Sequence, residues 1–255
     1  MRKYGLLGHP LGHSFSRKFH NDRFHNLGID AIYENFDLEE IGMLQEVLQE
    51  NPDLRGLNVT IPYKQAVMAF LDELDPLAER IGAVNTIRVT PVTIGSESGT
   101  KTKGWHLSGY NTDIVGFRES LKPMLSGEET GALVLGTGGA SKAVFVALQD
   151  LGITPIYVSR TAAPGRLTYQ DLTPEVMSSH QVIVNCTPLG MFPKVEACPD
   201  IPYELLTSKH ICFDCVYNPA ETLFMQKSAA HGAKVKCGQE MLEGQALAAY
   251  DIWNR

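Results

Sequence analysis

The feature that most constrains this chain is a run near its middle. The apolar stretch Ala132-Leu133-Val134-Leu135 feeds directly into Gly136-Thr137-Gly138-Gly139-Ala140-Ser141-Lys142. A helical pattern follows to about residue 151, and a second strand pattern covers residues 155–159. A buried strand, a glycine turn, a helix and another strand within about 30 residues make a βαβ unit. The turn is also an anion site, because backbone N–H groups and the positive end of the helix dipole meet there. Gly136 allows the tight turn, and Gly138 lets a ligand approach the backbone. Ser141 takes the third position of the glycine pattern, where Gly or Ala is usual, and is still small. The second strand ends in Val158-Ser159-Arg160-Thr161. An NAD site carries an acid about 20 residues on, for the ribose hydroxyls. An arginine stands here instead, and its planar, permanently charged guanidinium suits a ribose 2′-phosphate. The expected cofactor is NADP rather than NAD.

The chain has 255 residues, room for two domains at roughly 100–200 residues each. Hydrophobic residues make up 44% and charged residues 20%, which excludes a disordered, collagenous or coiled-coil chain. No apolar run approaches the roughly 20 residues of a membrane span. The short apolar stretch at the start is broken by glycines and His9-Pro10, unlike a signal peptide. A cytoplasmic protein is expected. Net charge is −7 and the Lys and Arg residues are scattered, so no basic face for nucleic acid is visible. A small anionic ligand is still allowed, since a few local donors override a global charge.

The five cysteines are odd in number and irregularly spaced, which argues against a disulfide framework. Cys212-Phe213-Asp214-Cys215 falls in residues 211–217, which read as a strand, so its two thiols should point to opposite faces. No second such pair completes a zinc site. His9 and His13 are four apart, but Pro10 and Gly12 between them prevent a helical two-His face. No metal is expected, and the thiols read as buried or incidental.

Strand patterns cover residues 4–7, 31–36, 56–61, 83–89 and 105–110 in the first half. Helical patterns cover 14–27, with Phe15, Phe19, Phe24 and Leu27 apolar, then 38–49, 63–71 behind a first-turn Pro62, and 113–125. Residues 91–103 are polar and read as an exposed hairpin or loop, and 126–131 as a domain junction. Further strands are read at 181–185, 211–217 and 233–237, and helices at 219–231 and 239–253. The last helix carries Leu242, Ala246, Ala249, Tyr250 and Trp253 on one stripe. Strands alternating with helices predict an α/β protein with mostly parallel sheets.

Several segments together resemble the shikimate dehydrogenases. They are Gly8-His9-Pro10-Leu11-Gly12-His13-Ser14-Phe15-Ser16, Asn58-Val59-Thr60-Ile61-Pro62-Tyr63-Lys64, Ala83-Val84-Asn85-Thr86 and Gly109-Tyr110-Asn111-Thr112-Asp113. The glycine turn and Ser159-Arg160-Thr161 continue the series. Asn185-Cys186-Thr187-Pro188-Leu189-Gly190-Met191, Asp214-Cys215-Val216-Tyr217-Asn218-Pro219 and Gly238 with Gln245 complete it. The order is collinear over nearly the whole chain. The resemblance implies two α/β domains with a cleft between them: a substrate domain at residues 1–112, onto which residues 239–255 pack back, and a Rossmann-type NADP-binding domain at 113–238. It implies reversible reduction of 3-dehydroshikimate to shikimate in aromatic amino-acid biosynthesis, by a monomer or homodimer acting on a small molecule.

The resemblance also implies residue roles. Ser14 and Ser16 would hold the substrate carboxylate, although a serine before a helix is also a favoured N-cap. Thr60, Asn85 and Gln245 would bind ring hydroxyls, and Tyr217 would contact substrate. Lys64 and Asp113 would form an acid–base dyad, moving the proton that leaves or joins the reacting oxygen. Gly136, Gly138, Gly139, Ala140, Ser159, Arg160 and Thr161 would hold the adenosine and phosphates. Thr187, Met191, Val216 and Gly238 would lie near the nicotinamide. The sequence departs from the family in four places. Arg17 follows Ser16 where proline is usual, and Ser159 replaces an asparagine. The 91–103 loop is long, and the helix usual after the second Rossmann strand is reduced or missing. Two other readings stay open: a quinate/shikimate dehydrogenase using NAD, and a non-catalytic shikimate-binding sensor.

Overall fold

Two six-stranded sheets organise the chain, one in each of two compact units. The structure, a computed structural model, describes residues 1–12, 14–95 and 101–255, with the backbone alone at 94, 95 and 101–103. His13 and the tip of the expected 91–103 loop lie outside the described residues. The first unit holds Met1–Thr112 with Ala246–Arg255, and the second Asp113–Gln245.

The first unit runs β1 (Arg2–Gly8), α1 (Phe15–Asn26), β2 (Ala31–Asp37), α2 (Leu44–Glu50), β3 (Leu54–Val59), β4 (Glu73–Leu74), α3 (Pro76–Ile81), β5 (Thr86–Gly95) and β6 (Lys101–Tyr110). Its sheet order is β2-β1-β3-β5-β6-β4. β1 pairs in parallel with β2 and β3, whereas β5 is antiparallel to both β3 and β6. The sheet is therefore mixed. The stretch expected as a hairpin or loop extends both arms of a hairpin, with Pro91 opposite Trp105 in the ladder.

Two helical expectations are corrected. Residues 38–49 begin in extended and 3₁₀ backbone, and α2 starts only at Leu44. Residues 63–71 form a turn and a 3₁₀ segment, Ala66–Phe70, rather than an α-helix behind Pro62. Tertiary bonds take the backbone and side-chain groups there: Val84 N donates to the Lys64 carbonyl at 2.7 Å, and the Tyr63 hydroxyl donates to the Leu38 carbonyl at 2.6 Å. The helical pattern of 14–27 is real, but α1 turns Ser16, His20 and Phe24 inward and leaves Leu27 exposed. Those residues, four apart, meet an aromatic cluster of Tyr4, Tyr33 and Trp253. The Trp253 indole N–H donates to the Ile87 carbonyl at 3.0 Å, and a Cβ on Gly56 would sit 2.2 Å from its ring.

The second unit runs α4 (Asp113–Leu121), β7 (Gly131–Leu135), α5 (Gly139–Asp150), β8 (Thr154–Ser159), β9 (Arg166–Thr168), α6 (Pro174–Ser179), β10 (Val182–Asn185), β11 (Ile211–Asp214), α7 (Leu223–Ala230), β12 (Lys234–Cys237) and the start of α8 (Gln239–Trp253), whose residues from Ala246 on belong to the first unit. Every strand pairing in its sheet is parallel, in the order β12-β11-β10-β7-β8-β9. β7 is buried throughout, because strands flank it on both sides and its apolar residues face covered surfaces. Counted from β7, this is the doubly wound order 3-2-1-4-5-6, with its switch point between β7 and β10. Residues 160–165 link β8 to β9 with no helix, and the short α6 follows β9. That explains the missing helix read from the sequence. α4 and α8 come close enough that a Cβ on Gly116 would meet the Met241 carbonyl at 2.2 Å.

Candidate active site

In the first unit, β1 and β3 end at the same sheet edge at which the antiparallel β5 begins. That geometry gathers Ser14, Ser16, Thr60, Lys64 and Asn85 from three segments: the start of α1, the turn after β3 and the residue before β5. Ser14 caps α1, accepting from Arg17 N at 3.2 Å. Thr60 follows β3, and Gly8 at the end of β1 leaves room for it: a Cβ there would lie 2.5 Å from the Thr60 methyl. Lys64 is half-buried in the turn after Thr60.

A buried hydrogen-bond chain runs beneath these residues. Ser16 bonds to the Tyr33 hydroxyl, which donates to Asn58 Oδ1 at 2.8 Å. Asn58 Nδ2 donates to Thr86 Oγ1 at 3.3 Å, and Thr86 Oγ1 donates to Asn85 Oδ1 at 3.0 Å. Asn85 Oδ1 also accepts from Thr112 N at 2.7 Å, and Asn85 Nδ2 donates to Thr112 Oγ1 at 3.0 Å. Complete burial pushes the Tyr33 phenol well up, and the Ser16 bond opposes this only partly. Tyr33, Asn58, Thr86 and Thr112 were not among the residues singled out from sequence. A buried asparagine between Leu57 and Val59 is a usable signal, because a polar group in an apolar strand needs a partner. Tyr33 gives no such signal.

A cavity of about 640 Å³ opens on the outer side of α1, lined by Ser14, Arg17, Lys18, Asn21 and Asn35 among others. It takes in Ser14 but none of Ser16, Thr60, Lys64 or Asn85, so it is not the site those residues outline.

In the second unit, the C-terminal ends of β7, β8, β10 and β11 lie along one edge. Gly136 has φ +99°, open to glycine and strained for other residues, and a Cβ there would be 3.0 Å from the Thr187 methyl. Gly138 is the N-cap of α5, and a Cβ there would meet nothing within 4 Å. Gly139 and Ala140 open that helix, and Ser141 is fully buried, its hydroxyl donating to the Gly138 carbonyl at 2.7 Å. A bare turn, open space above it and the start of a 12-residue helix fit a pyrophosphate. Ser159 turns its hydroxyl to the Thr161 carbonyl at 2.6 Å, leaving exposed Arg160 as the cation at the end of β8.

β11 stops at Asp214 rather than running to residue 217, which corrects the strand expected there. The Asp214 carboxylate captures the chain instead. It accepts from Val216 N and Asn185 Nδ2, both at 2.9 Å, and from the Thr222 hydroxyl at 2.6 Å. Asn185 Oδ1 in turn accepts from the Thr187 hydroxyl at 2.6 Å. Burial nevertheless raises Asp214 to about 6, against those three bonds. Val216 and Tyr217 lie in the loop beyond, Val216 buried and the phenol of Tyr217 pushed up by burial. Met191 is 45% exposed. Gly238 has a reason of its own to lack a side chain: a Cβ would be 2.4 Å from the Cys215 carbonyl. Asp113, the first residue of α4, is buried, as is Gln245 on α8. Among the described residues, no group of three or more His, Cys, Asp or Glu is placed to hold a metal ion, and no helix is long and apolar enough to cross a membrane.

The doubly wound sheet with a glycine turn at its switch point defines a dinucleotide-binding protein of the Rossmann class. Residues 6–87 match the family model for the shikimate dehydrogenase substrate binding domain. Over 263 residues the chain is 38% identical to the NADP(+) shikimate dehydrogenase of Clostridium beijerinckii, covering 99% of this chain and 92% of that one. The crystal structure of the Thermus thermophilus shikimate 5-dehydrogenase in complex with NADP(H) and shikimate superposes with a TM-score of 0.82 at 33% identity, covering 99% and 93% of the two chains. A quinate dehydrogenase from Corynebacterium glutamicum in complex with NAD has a TM-score of 0.82 at 26% identity, with the same coverages of 99% and 93%. The chain belongs to the shikimate dehydrogenase family.

Proposed function

We propose that the protein is an NADP-dependent shikimate dehydrogenase, reversibly reducing 3-dehydroshikimate to shikimate in aromatic amino-acid synthesis. The observation that carries this reading is the gathering of Ser16, Thr60, Lys64 and Asn85 at one sheet edge, in a chain whose relatives bear that activity. Residues 1–112 with 239–255 would supply the substrate domain, and 113–238 the cofactor domain.

Hydroxyl and amide groups suit a polyhydroxylated ring acid. Ser14 and Ser16 would donate to its carboxylate, while Thr60, Asn85, Gln245 and Tyr217 would meet its hydroxyls. The buried chain through Tyr33 and Asn58 holds Ser16 and Asn85 in fixed positions, so little side-chain ordering remains for the moment of binding. NADP, when bound, supplies or accepts the hydride. Gly136, Gly138, Gly139 and Ala140 would cradle its pyrophosphate, and Arg160, between Ser159 and Thr161, its ribose phosphate. Thr187, Met191, Val216 and Gly238 would line its nicotinamide end.

Lys64 and Asp113 handle the proton. In the oxidising direction the dyad takes it from the substrate hydroxyl, and in the reducing direction returns it to the same oxygen. No metal takes part in this scheme. Arg160 and the lack of an acid at the end of β8 speak against an NAD enzyme, and the retained Lys64 and Asp113 against a sensor. The enzyme would act in the cytoplasm as a monomer or homodimer, on small molecules and not on nucleic acid. Calorimetric titration with shikimate, NADP⁺ and NAD⁺ tests the reading. Binding of shikimate, with NADP⁺ held tighter than NAD⁺, is expected; a protein that binds neither shikimate nor NADP⁺ would sink it.

A further inference from the structure

Cys186 and Cys215 are the first residues beyond the ends of β10 and β11. Asn185 and Asp214 are register partners, and Cys215 N donates to the Asn185 carbonyl at 2.9 Å, carrying the ladder one step further. The two Sγ atoms consequently lie 3.7 Å apart. Both cysteines are partly exposed, unlike Cys212 inside β11, whose thiol is fully buried and pushed up to about 12 by that burial. Neighbouring strands stand about 4.8 Å apart, within the roughly 4.4–6.8 Å of Cα separation that a disulfide accepts. Bringing the sulfurs to a bond of about 2.05 Å needs only modest side-chain rotation and a small movement of the two loops.

We propose that Cys186 and Cys215 form a peroxide-oxidisable dithiol whose closure to a disulfide loosens the cofactor edge of the second unit. The Cys186 thiolate attacks one peroxide oxygen, the O–O bond breaks, and one water leaves after protonation. The resulting sulfenic acid is attacked by the Cys215 sulfur; the S–O bond breaks, the S–S bond forms, and a second water leaves. Two thiols and one peroxide become one disulfide and two waters. Cys186 is the better attacker, because its hydrogen bond to Cys215, together with burial, holds the Cys215 thiol protonated.

The consequence follows from the neighbours. Asn185 fixes Thr187 and Asp214 fixes Val216, so a bond between the intervening cysteines pulls on both loops. Misaligning one hydrogen bond to the cofactor, worth about 1 kcal/mol, lowers affinity about fivefold. This effect on cofactor rests on the reading under Proposed function; the formation of the disulfide does not.

The experiment treats the full reduced chain with one equivalent of hydrogen peroxide, alkylates the remaining thiols and maps the peptides. NADPH affinity is measured before oxidation, after it, and after reduction with a dithiol. A Cys186–Cys215 cross-link is expected, with NADPH affinity falling by at least about fivefold, as for one lost hydrogen bond, and returning on reduction. Cys186→Ser and Cys215→Ala should each bind NADPH like the parent, and neither should form the cross-link with peroxide, Cys215→Ala stopping at the Cys186 sulfenic acid. Both thiols remaining alkylatable, either one pairing elsewhere, or a cross-link that leaves NADPH affinity unchanged would overturn the proposal. Failure of the reduced parent to bind NADPH would instead count against the cofactor reading, while the peptide map still decides the dithiol.

Discussion

At the candidate edge of the first unit the groups that meet are side chains; at the glycine turn of the second they are peptide units. Ser16, Tyr33, Asn58, Thr86 and Asn85 hold one another through hydroxyls and amides. Gly136 and Gly138 offer main chain alone. The first depends on the identity of its side chains. The second depends on the lack of a Cβ, at Gly136 for its φ of +99° and at Gly138 for the open space beside it. The two units also bury ionisable groups differently. His20 sits in an aromatic cluster, and neither ring nitrogen has a hydrogen-bond partner among the described residues, whereas Asp214 accepts three bonds. Both are nonetheless driven toward neutrality, His20 to about 3 and Asp214 to about 6. Desolvation outweighs even three good donors.

The largest expected effect sharpens the side-chain half of the comparison. Lys64→Ala should lower kcat by at least about 10², the low end for a lost acid–base group, while shikimate binding stays within about tenfold. Near-normal turnover in steady-state assays would break it.

Next comes pH. His20 is neutral in the fold but protonates in the unfolded chain below 6.5, so its contribution is present above that pH and lost as pH falls toward 3. The loss is about 2 kcal/mol at pH 5. Asp214 acts in the opposite sense. Its raised value means stability is present below 3.8 and lost as pH rises through about 6, about 3 kcal/mol in all. Urea unfolding at pH 4 to 7 should therefore show His20→Phe flattening the acid loss and Asp214→Asn removing the loss on the way up. Differences of the same sign for the two variants would contradict the assignment.

The main-chain half is probed by a glycine pair. Gly136→Ala should destabilise by about 1–3 kcal/mol, because φ +99° strains an L side chain. Gly138→Ala has ordinary φ and open space, so its stability should stay within about 0.5 kcal/mol while NADP⁺ affinity falls. Equal denaturation midpoints for the two variants would remove the distinction. The smallest effect expected is that of Arg160→Ala, lowering the NADP⁺ over NAD⁺ preference about tenfold, as for one charged contact of about 1.4 kcal/mol; an unchanged ratio of kcat/KM would exclude Arg160 as the discriminator.

What could be read from the sequence follows the same division. The glycine turn, its helix and the two flanking strands were legible because local rules write them in a short window. The missing helix after β8 showed in Pro164, Gly165 and Pro174. Residues 63–71 misled, because their apolar spacing is helical while the Lys64 carbonyl belongs to Val84 from another segment. The end of β11 misled for a similar reason: its apolar pattern continues past Asp214, but a buried carboxylate folds the next residues back. The Cys186–Cys215 meeting depends on strand order, which no spacing within Cys212-Phe213-Asp214-Cys215 encodes. The chain from Ser16 to Thr112 joins residues from five segments, and only the polar residues inside apolar strands announce it.

The most direct test of the central claim is the initial rate of nicotinamide reduction with shikimate or quinate, each paired with NADP⁺ or NAD⁺. Rapid turnover confined to shikimate with NADP⁺ is the expected result. Equal or faster turnover with NAD⁺ or quinate, or no turnover in any pairing by a protein that still binds shikimate, would contradict it.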